Sequence, residues 1–304
     1  MLAFVTSLRA RALARDWKHH VWMLECTVRS MLAQANPDVM AVIACHDIPE
    51  TLLASHPQVH FLPVKFPPPE RNNDDMCVDK VLKLSVGADW AVAQGCDHVM
   101  FIDADDLVSN RIGALVAESR GVPGWYSSSV FFYTHGGRLL RQFRVGGMNS
   151  LPFVVVRSDL LEFDVPPYTG KWVDIIRRGG ENRYLGLLER HGERTCALAA
   201  VGLQNYRDYM AGRGQPLEAI PFPSIVMINH SDSTSHVPGG TGAYASAGKQ
   251  QRASLRMTLS RFKQSLRWLP TFRLLTPKLR REFTIPQDSE IPPAYLHRGS
   301  IFWR

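Results

Sequence analysis

The stretch that decides the fold is His98-Val-Met-Phe-Ile-Asp-Ala-Asp-Asp-Leu107. Four of the five residues before Asp103 are apolar (Val99, Met100, Phe101, Ile102), and no turn-former interrupts them. Such a run reads as a strand buried on both faces of a parallel sheet. It leads directly into three carboxylates, Asp103, Asp105 and Asp106. In an open α/β sheet the carboxyl end of a central strand is where ligands bind. Asp103 and Asp105 lie two apart, so extended chain would send both side chains off one face. Two carboxylates that close repel by roughly 3–4 kcal/mol at an effective dielectric of about 20. A cation between them, or on a ligand they share, relieves this. Mg²⁺ and Mn²⁺ prefer hard oxygen donors and are often held by one or two carboxylates plus substrate phosphates. The competing reading is that the aspartates only close the strand, with Asp106 or Ser109 capping the next helix.

Working outward, a chain of 304 residues with 45% hydrophobic residues can bury a large core. The net charge of +7 points to anionic partners such as nucleotides, phosphates or acidic lipid. Charge without a recognisable nucleic-acid motif does not suggest nucleic-acid binding. The five cysteines (Cys26, Cys45, Cys77, Cys96, Cys196) show no CxxC spacing and read as reduced core thiols of a cytoplasmic protein. No segment approaches the roughly 20 apolar residues of a membrane span, and Leu2 to Val5 is too short for a signal peptide.

Upstream of the acidic stretch, Leu2–Thr6 reads as a first strand followed by a basic loop, residues 7–15. Asp16–Gln34 carries Val21, Leu24, Val28, Met31 and Leu32 at helical spacing, and Asn36-Pro37 stops it. Val39–Ala44 and Val59–Val64 read as strands. Asn72–Asp75 is expected as a polar loop and Val78–Ala93 as a helix ended by Gly95. The order strand, helix, strand, strand, helix, strand is a parallel α/β pattern. Downstream, a helix is expected over 111–118, paired strands over Trp125–Tyr133 and Leu139–Phe143, and a strand over Leu151–Val156. A helix over Glu181–Glu189 and a strand over Ser224–Asn229 complete this half.

This order, with Phe4-Val-Thr-Ser-Leu-Arg9, Asp79-Lys80, Lys83 and Phe101-Ile-Asp-Ala-Asp-Asp106, resembles a GT-A glycosyltransferase of the family-2-like group. The resemblance implies a GT-A type α/β fold over residues 1–242. A Rossmann-like nucleotide-binding half with a mixed central sheet would span 1–106, an acceptor half 107–242, and a basic, partly helical extension 243–304. It implies a metal-dependent transfer of sugar from a nucleoside-diphosphate sugar to an acceptor hydroxyl on a polysaccharide, lipopolysaccharide or glycolipid. Asp103 and Asp105 would hold Mn²⁺ or Mg²⁺, which stabilises the departing diphosphate. The family often adds a late histidine as metal ligand, and His230 and His236 both stand in that place; His236 is preferred because its surroundings could fold over nucleotide as a lid. Thr6, Ser7, Arg9 and Asp47 would cradle the nucleotide after strands one and two, and Lys80 and Lys83, three apart on one helical face, would reach the diphosphate. An inverting mechanism needs a base for the acceptor hydroxyl. Glu181 is the candidate, ahead of Asp174, although the family's usual acidic pair reads Glu181-Asn182 here. Gly146-Gly-Met-Asn-Ser150 would line the acceptor side.

From Ala243 to Arg281 there is no Asp or Glu, and Leu255, Leu259, Phe262, Leu266 and Leu269 recur at helical spacing among arginines and lysines. Residues 249–281 could lie on an anionic membrane surface, making the protein peripheral on the inner face, or pack on the catalytic domain. Two alternatives remain open: a haloacid-dehalogenase-like phosphatase, which also uses Asp-x-Asp after a strand, and a non-catalytic basic membrane-associated protein. Sugar nucleotidyltransferases need a glycine-rich first loop that Ser7-Leu-Arg-Ala10 lacks.

Overall fold

The computed structural model describes residues 1–71, 73–119, 121–144, 153–163, 195–200, 206–228 and 271–296. The expected first half is there. It runs β1 (Leu2–Ser7), α1 (Trp17–Leu32), β2 (Val39–Cys45), β3 (Val59–Pro63), α2 (Asn73–Ala93) and β4 (His98–Phe101). β1 pairs parallel with both β2 and β4, and β2 pairs parallel with β3. β1 and β2 are apolar almost throughout because both faces are covered, as the run of small and branched residues anticipates. Each fully buried Phe, Ile or Val there contributes about 1.5–3 kcal/mol.

Two observations fix the helices. Asp16 caps α1, its Oδ1 accepting the His19 backbone N–H at 3.0 Å. α2 lies close on the sheet at Gly87, where a Cβ would sit 2.5 Å from Cγ1 of Val5. α2 also begins at Asn73, so most of the loop expected over 72–75 is its first turn.

After β4 come β5 (Asp106–Val108), α3 (Ile112–Glu118), β6 (Gly124–Tyr126), β7 (Ser129–Tyr133), β8 (Leu139–Arg144) and β9 (Val154–Arg157). A helical turn (Ala197–Ala200), α4 (Tyr206–Gly212), β10 (Glu218–Ala219), β11 (Ile225–Ile228), β12 (Phe272–Leu274) and α5 (Pro277–Glu282) follow. Among the described residues the strands form two sheets, β10-β6-β9-β4-β1-β2-β3 and β12-β8-β7-β11-β5. The first is mixed, since β9 runs antiparallel to β4 and β6. The fold is thus mixed α/β about a central mixed sheet. The sequence reading of Trp125–Tyr133 as one strand needs correction: the chain leaves the first sheet at Ser127-Ser128 and enters the second as β7. Ser128 Oγ donates to the Ile220 carbonyl at 2.8 Å, which holds the crossing point. β7 and β8 do pair across the His135 turn.

The described part of the stretch from residue 243 packs on the rest of the fold. β12 adds an edge to the second sheet through β8. Beyond α5, Phe283 (0% exposed) and Ile285 (4%) enter a core with Met23, Leu107, Tyr133 and Val226. The expected helices over 181–189 and 255–269 lie outside the described residues, and no helix among the described residues is long and apolar enough to cross a membrane. None of the five cysteines forms a disulfide, and Cys26, Cys45, Cys96 and Cys196 are buried.

Candidate active site

β4 is a central strand, and its carboxyl end carries the acidic turn. Asp103 and Asp105 do not sit on extended chain. The residues turn, and the Asp106 N–H donates to the Asp103 carbonyl at 3.3 Å. The turn therefore gathers three carboxylates instead of two: one oxygen each of Asp103, Asp105 and Asp106 lies within 4.8 Å of the others. Asp106 is the first residue of β5 and not a helix cap, and it is only 4% exposed. Its Oδ1 accepts the Ile228 N–H at 3.3 Å, at the end of β11. Burial first, then the neighbouring Asp105 and Asp103, push its carboxyl well above the usual range. An all-oxygen set of this kind suits a hard divalent cation such as Mg²⁺ or Mn²⁺.

α2 brings two lysines to this end of the sheet, and they differ in depth. Lys80 forms an ion pair with Asp103, with side chains 24% and 29% exposed. Burial opposes its ammonium, but Asp103, and to a lesser extent Asp105, raise its pKa above the ordinary lysine value. Lys83 is 0% exposed; it donates to Asp79 Oδ2 at 2.7 Å and to the Leu8 carbonyl at 2.9 Å. The reading of Lys83 as a phosphate contact is corrected on this ground. Its ammonium is spent inside the core, where it ties α2 to the loop after β1. Burial lowers its pKa despite Asp79.

The loops after β1 and β2 meet. Asp47 Oδ2 accepts the Arg11 backbone N–H at 2.9 Å. Arg9 lies 3.4 Å from the His20 imidazole, and Ser7 is half-buried. Thr6 is fully buried, and its hydroxyl has no hydrogen-bond partner.

Several residues escaped the sequence reading. His46 Nε2 is 2.7 Å from Asp79 Oδ1, so Asp79 joins the ends of β1 and β2 through Lys83 and His46. The signal was present, because Asp79 and Lys83 are four apart on α2. Tyr206 is 5% exposed with its hydroxyl unpartnered, and burial first, then the Asp103 charge, raise its pKa; nothing in the sequence near it announced this. Glu181, Asp174, His230, His236 and the segment 146–150 lie outside the described residues.

No protein-family model and no curated protein matches the chain. Solved structures do. The chain is similar to S. aureus TarS. A crystal structure of TarS 1–349 aligns with a TM-score of 0.40 at 8% identity, covering 75% of this chain and 60% of that one. The same fragment of TarS in complex with UDP gives 0.39 at 10% identity with the same coverage. A further crystal structure of TarS gives 0.38 at 8%, covering 75% of this chain and 36% of that one. The chain thus spans 60% or less of the TarS chains it matches.

Proposed function

We propose that the chain is a metal-dependent glycosyltransferase that moves a sugar from a nucleoside-diphosphate sugar to an acceptor hydroxyl. The observation that carries this is the gathering of Asp103, Asp105 and Asp106 at the carboxyl end of β4, beside the loops that follow β1 and β2. In a sheet of this kind that place is the ligand crevice, and a net positive chain favours an anionic donor.

In this reading Asp103 and Asp105 hold Mn²⁺ or Mg²⁺, which when bound supplies Lewis-acid neutralisation of the negative charge on a departing diphosphate. Asp106, whose carboxyl is pushed well above the usual range, braces the turn against β11. Arg9, Ser7 and Asp47 bind the nucleoside. His236, ahead of His230, adds the further metal ligand in this reading. Glu181 takes the proton of the acceptor hydroxyl if the configuration inverts. The basic stretch 249–281, whose part from β12 onward packs on the second sheet, brings the enzyme through its remainder to an anionic lipid surface on the cytoplasmic side, where a glycolipid or polysaccharide acceptor would lie.

The test is release of nucleoside diphosphate from a panel of nucleotide sugars with Mn²⁺, Mg²⁺ or EDTA. UDP, the nucleotide in one of the TarS structures, is the first to try. Release that needs the metal and is lost in Asp105→Asn supports the transferase. Hydrolysis of simple phosphomonoesters with no turnover of any nucleotide sugar would point to the phosphatase instead.

A further inference from the structure

α2 carries two lysines three residues apart that have opposite fates, and the contrast is informative. Lys83 is sealed: its ammonium has two fixed acceptors and no exposure. Lys80 pairs with Asp103 at a place where water reaches both partners. Its helix is held by Lys83 one turn on and by the close approach of Gly87 to β1, so the four-carbon stem is what can move. Asp103 is at the same time one of the three carboxylates that share a 4.8 Å neighbourhood. Tyr206 is 5% exposed and its hydroxyl has no hydrogen-bond partner; burial first, and the Asp103 charge second, raise its pKa.

We propose that Lys80 is a built-in counter-cation of Asp103 that a divalent ion has to displace, so that lysine and metal compete for the same carboxylate. The proposal rests on the transferase reading for the presence of a metal, and adds a role for Lys80 to it. An ammonium and a divalent ion cannot share one carboxylate without repelling each other. Metal therefore binds poorly while Lys80 stays in place. Once released, the ammonium is within reach of an anion brought by the donor, and a diphosphate is the anion the proposed reaction supplies. Metal and nucleotide then favour each other's binding reciprocally, as any coupled pair of ligands must. With no donor present, the Lys80 ammonium offsets the Asp103 charge and so weakens its repulsion with the neighbouring Asp105.

The test is Mn²⁺ binding followed by electron paramagnetic resonance on the full chain, with and without UDP. Wild type is compared with Lys80→Met, which keeps the length and removes the charge, and Lys80→Gln, which keeps a polar end. Lys80→Arg serves as the charge-retaining control, and Asp103→Asn as the variant without the shared carboxylate. Without UDP, Lys80→Met and Lys80→Gln are expected to bind Mn²⁺ about tenfold more tightly than wild type, equivalent to about 1.4 kcal/mol. Lys80→Arg should stay within about twofold of wild type, and the gain in Mn²⁺ affinity on adding UDP should shrink in the neutral variants. Lys80→Gln keeps the comparison available if Lys80→Met does not fold. Tighter binding in the neutral variants with no effect of UDP on any of them would support the counter-cation and remove the nucleotide-sugar reading. Equal or weaker Mn²⁺ binding in the neutral variants, with UDP still tightening Mn²⁺ in wild type, would overturn the counter-cation and leave that reading intact. Absence of Mn²⁺ binding in every protein would overturn both.

Discussion

Replacing Lys83 by Met is the sharpest test of how the proposed cradle is held. The ammonium is fully buried, 2.7 Å from Asp79 Oδ2 and 2.9 Å from the Leu8 carbonyl. Removing one member of a buried ion pair costs about 3–5 kcal/mol, because the other charge is left without its partner. Asp79 retains His46 at 2.7 Å, which lowers the cost of that stranded carboxylate. The orphaned Leu8 carbonyl adds about 1–3 kcal/mol unless water reaches it. The expected loss is about 3–4 kcal/mol, a large share of the roughly 5–15 kcal/mol that folded domains possess. Urea unfolding measures it as a fall in the midpoint at constant slope. The double variant Lys83→Met/Asp79→Asn carries no stranded charge, so it should be less destabilised than the sum of the singles by about 1 kcal/mol or more. A loss below about 1 kcal/mol for Lys83→Met, or simple additivity of the two changes, would refute the view that this pair anchors the loop after β1.

Two further outcomes follow from the same geometry. Burial pushes the thiols of Cys45, Cys96 and Cys196 up to about 11 and that of Cys26 to about 12, so at pH 8 only about one in a thousand or fewer is thiolate. A thiol reagent should label only half-exposed Cys77 in the native protein and all five cysteines in denaturant; rapid native labelling of a second thiol, read by mass spectrometry, would contradict the packing. The backbone N–H of His19 holds the Asp16 carboxyl below the ordinary aspartate range. A depressed folded value adds stability above the unfolded pKa of about 4, and that stability disappears as pH falls through the folded one. Asp16→Ala should therefore cost about 1 kcal/mol near pH 6, with a difference from wild type that shrinks as pH falls below about 4; a gap that persists undiminished at the acid end of the urea titration would count against the cap.

The first half of the fold was legible because each element carries both a period and a stop. α1 repeats its apolar residues at helical spacing and meets Asn36-Pro37, and α2 meets Gly95. Where the punctuation is weak the reading slipped. Ser127-Ser128 looks like ordinary strand, yet there the chain changes sheets, for a reason set by Ser224 and Ile220 about 90 residues further on. Phe283 and Ile285 were unremarkable in a basic stretch because single apolar residues have no period, although both fill a core. Helical spacing likewise gave the shared face of Lys80 and Lys83 but not their depth, which follows from how closely α2 lies on β1.

The acidic turn shows the same division within a single site. Its composition and its place after a buried strand were local facts, and both could be read directly from His98 to Leu107. Which carboxylates act together was not local. A turn in place of extended chain brings in Asp106, and Asp106 is buried because β11 arrives from 122 residues away to pair with β5 and offer the Ile228 N–H. That non-local strand divides three chemically identical side chains into different electrostatic kinds. One is sealed, with its carboxyl pushed well above the usual range, and one is paired with a lysine on α2. The third, Asp105, is half-buried beside them and adds to the field that keeps Lys80 charged. A sequence motif of three aspartates carries none of these differences, and they decide where a cation would bind and what it would have to displace.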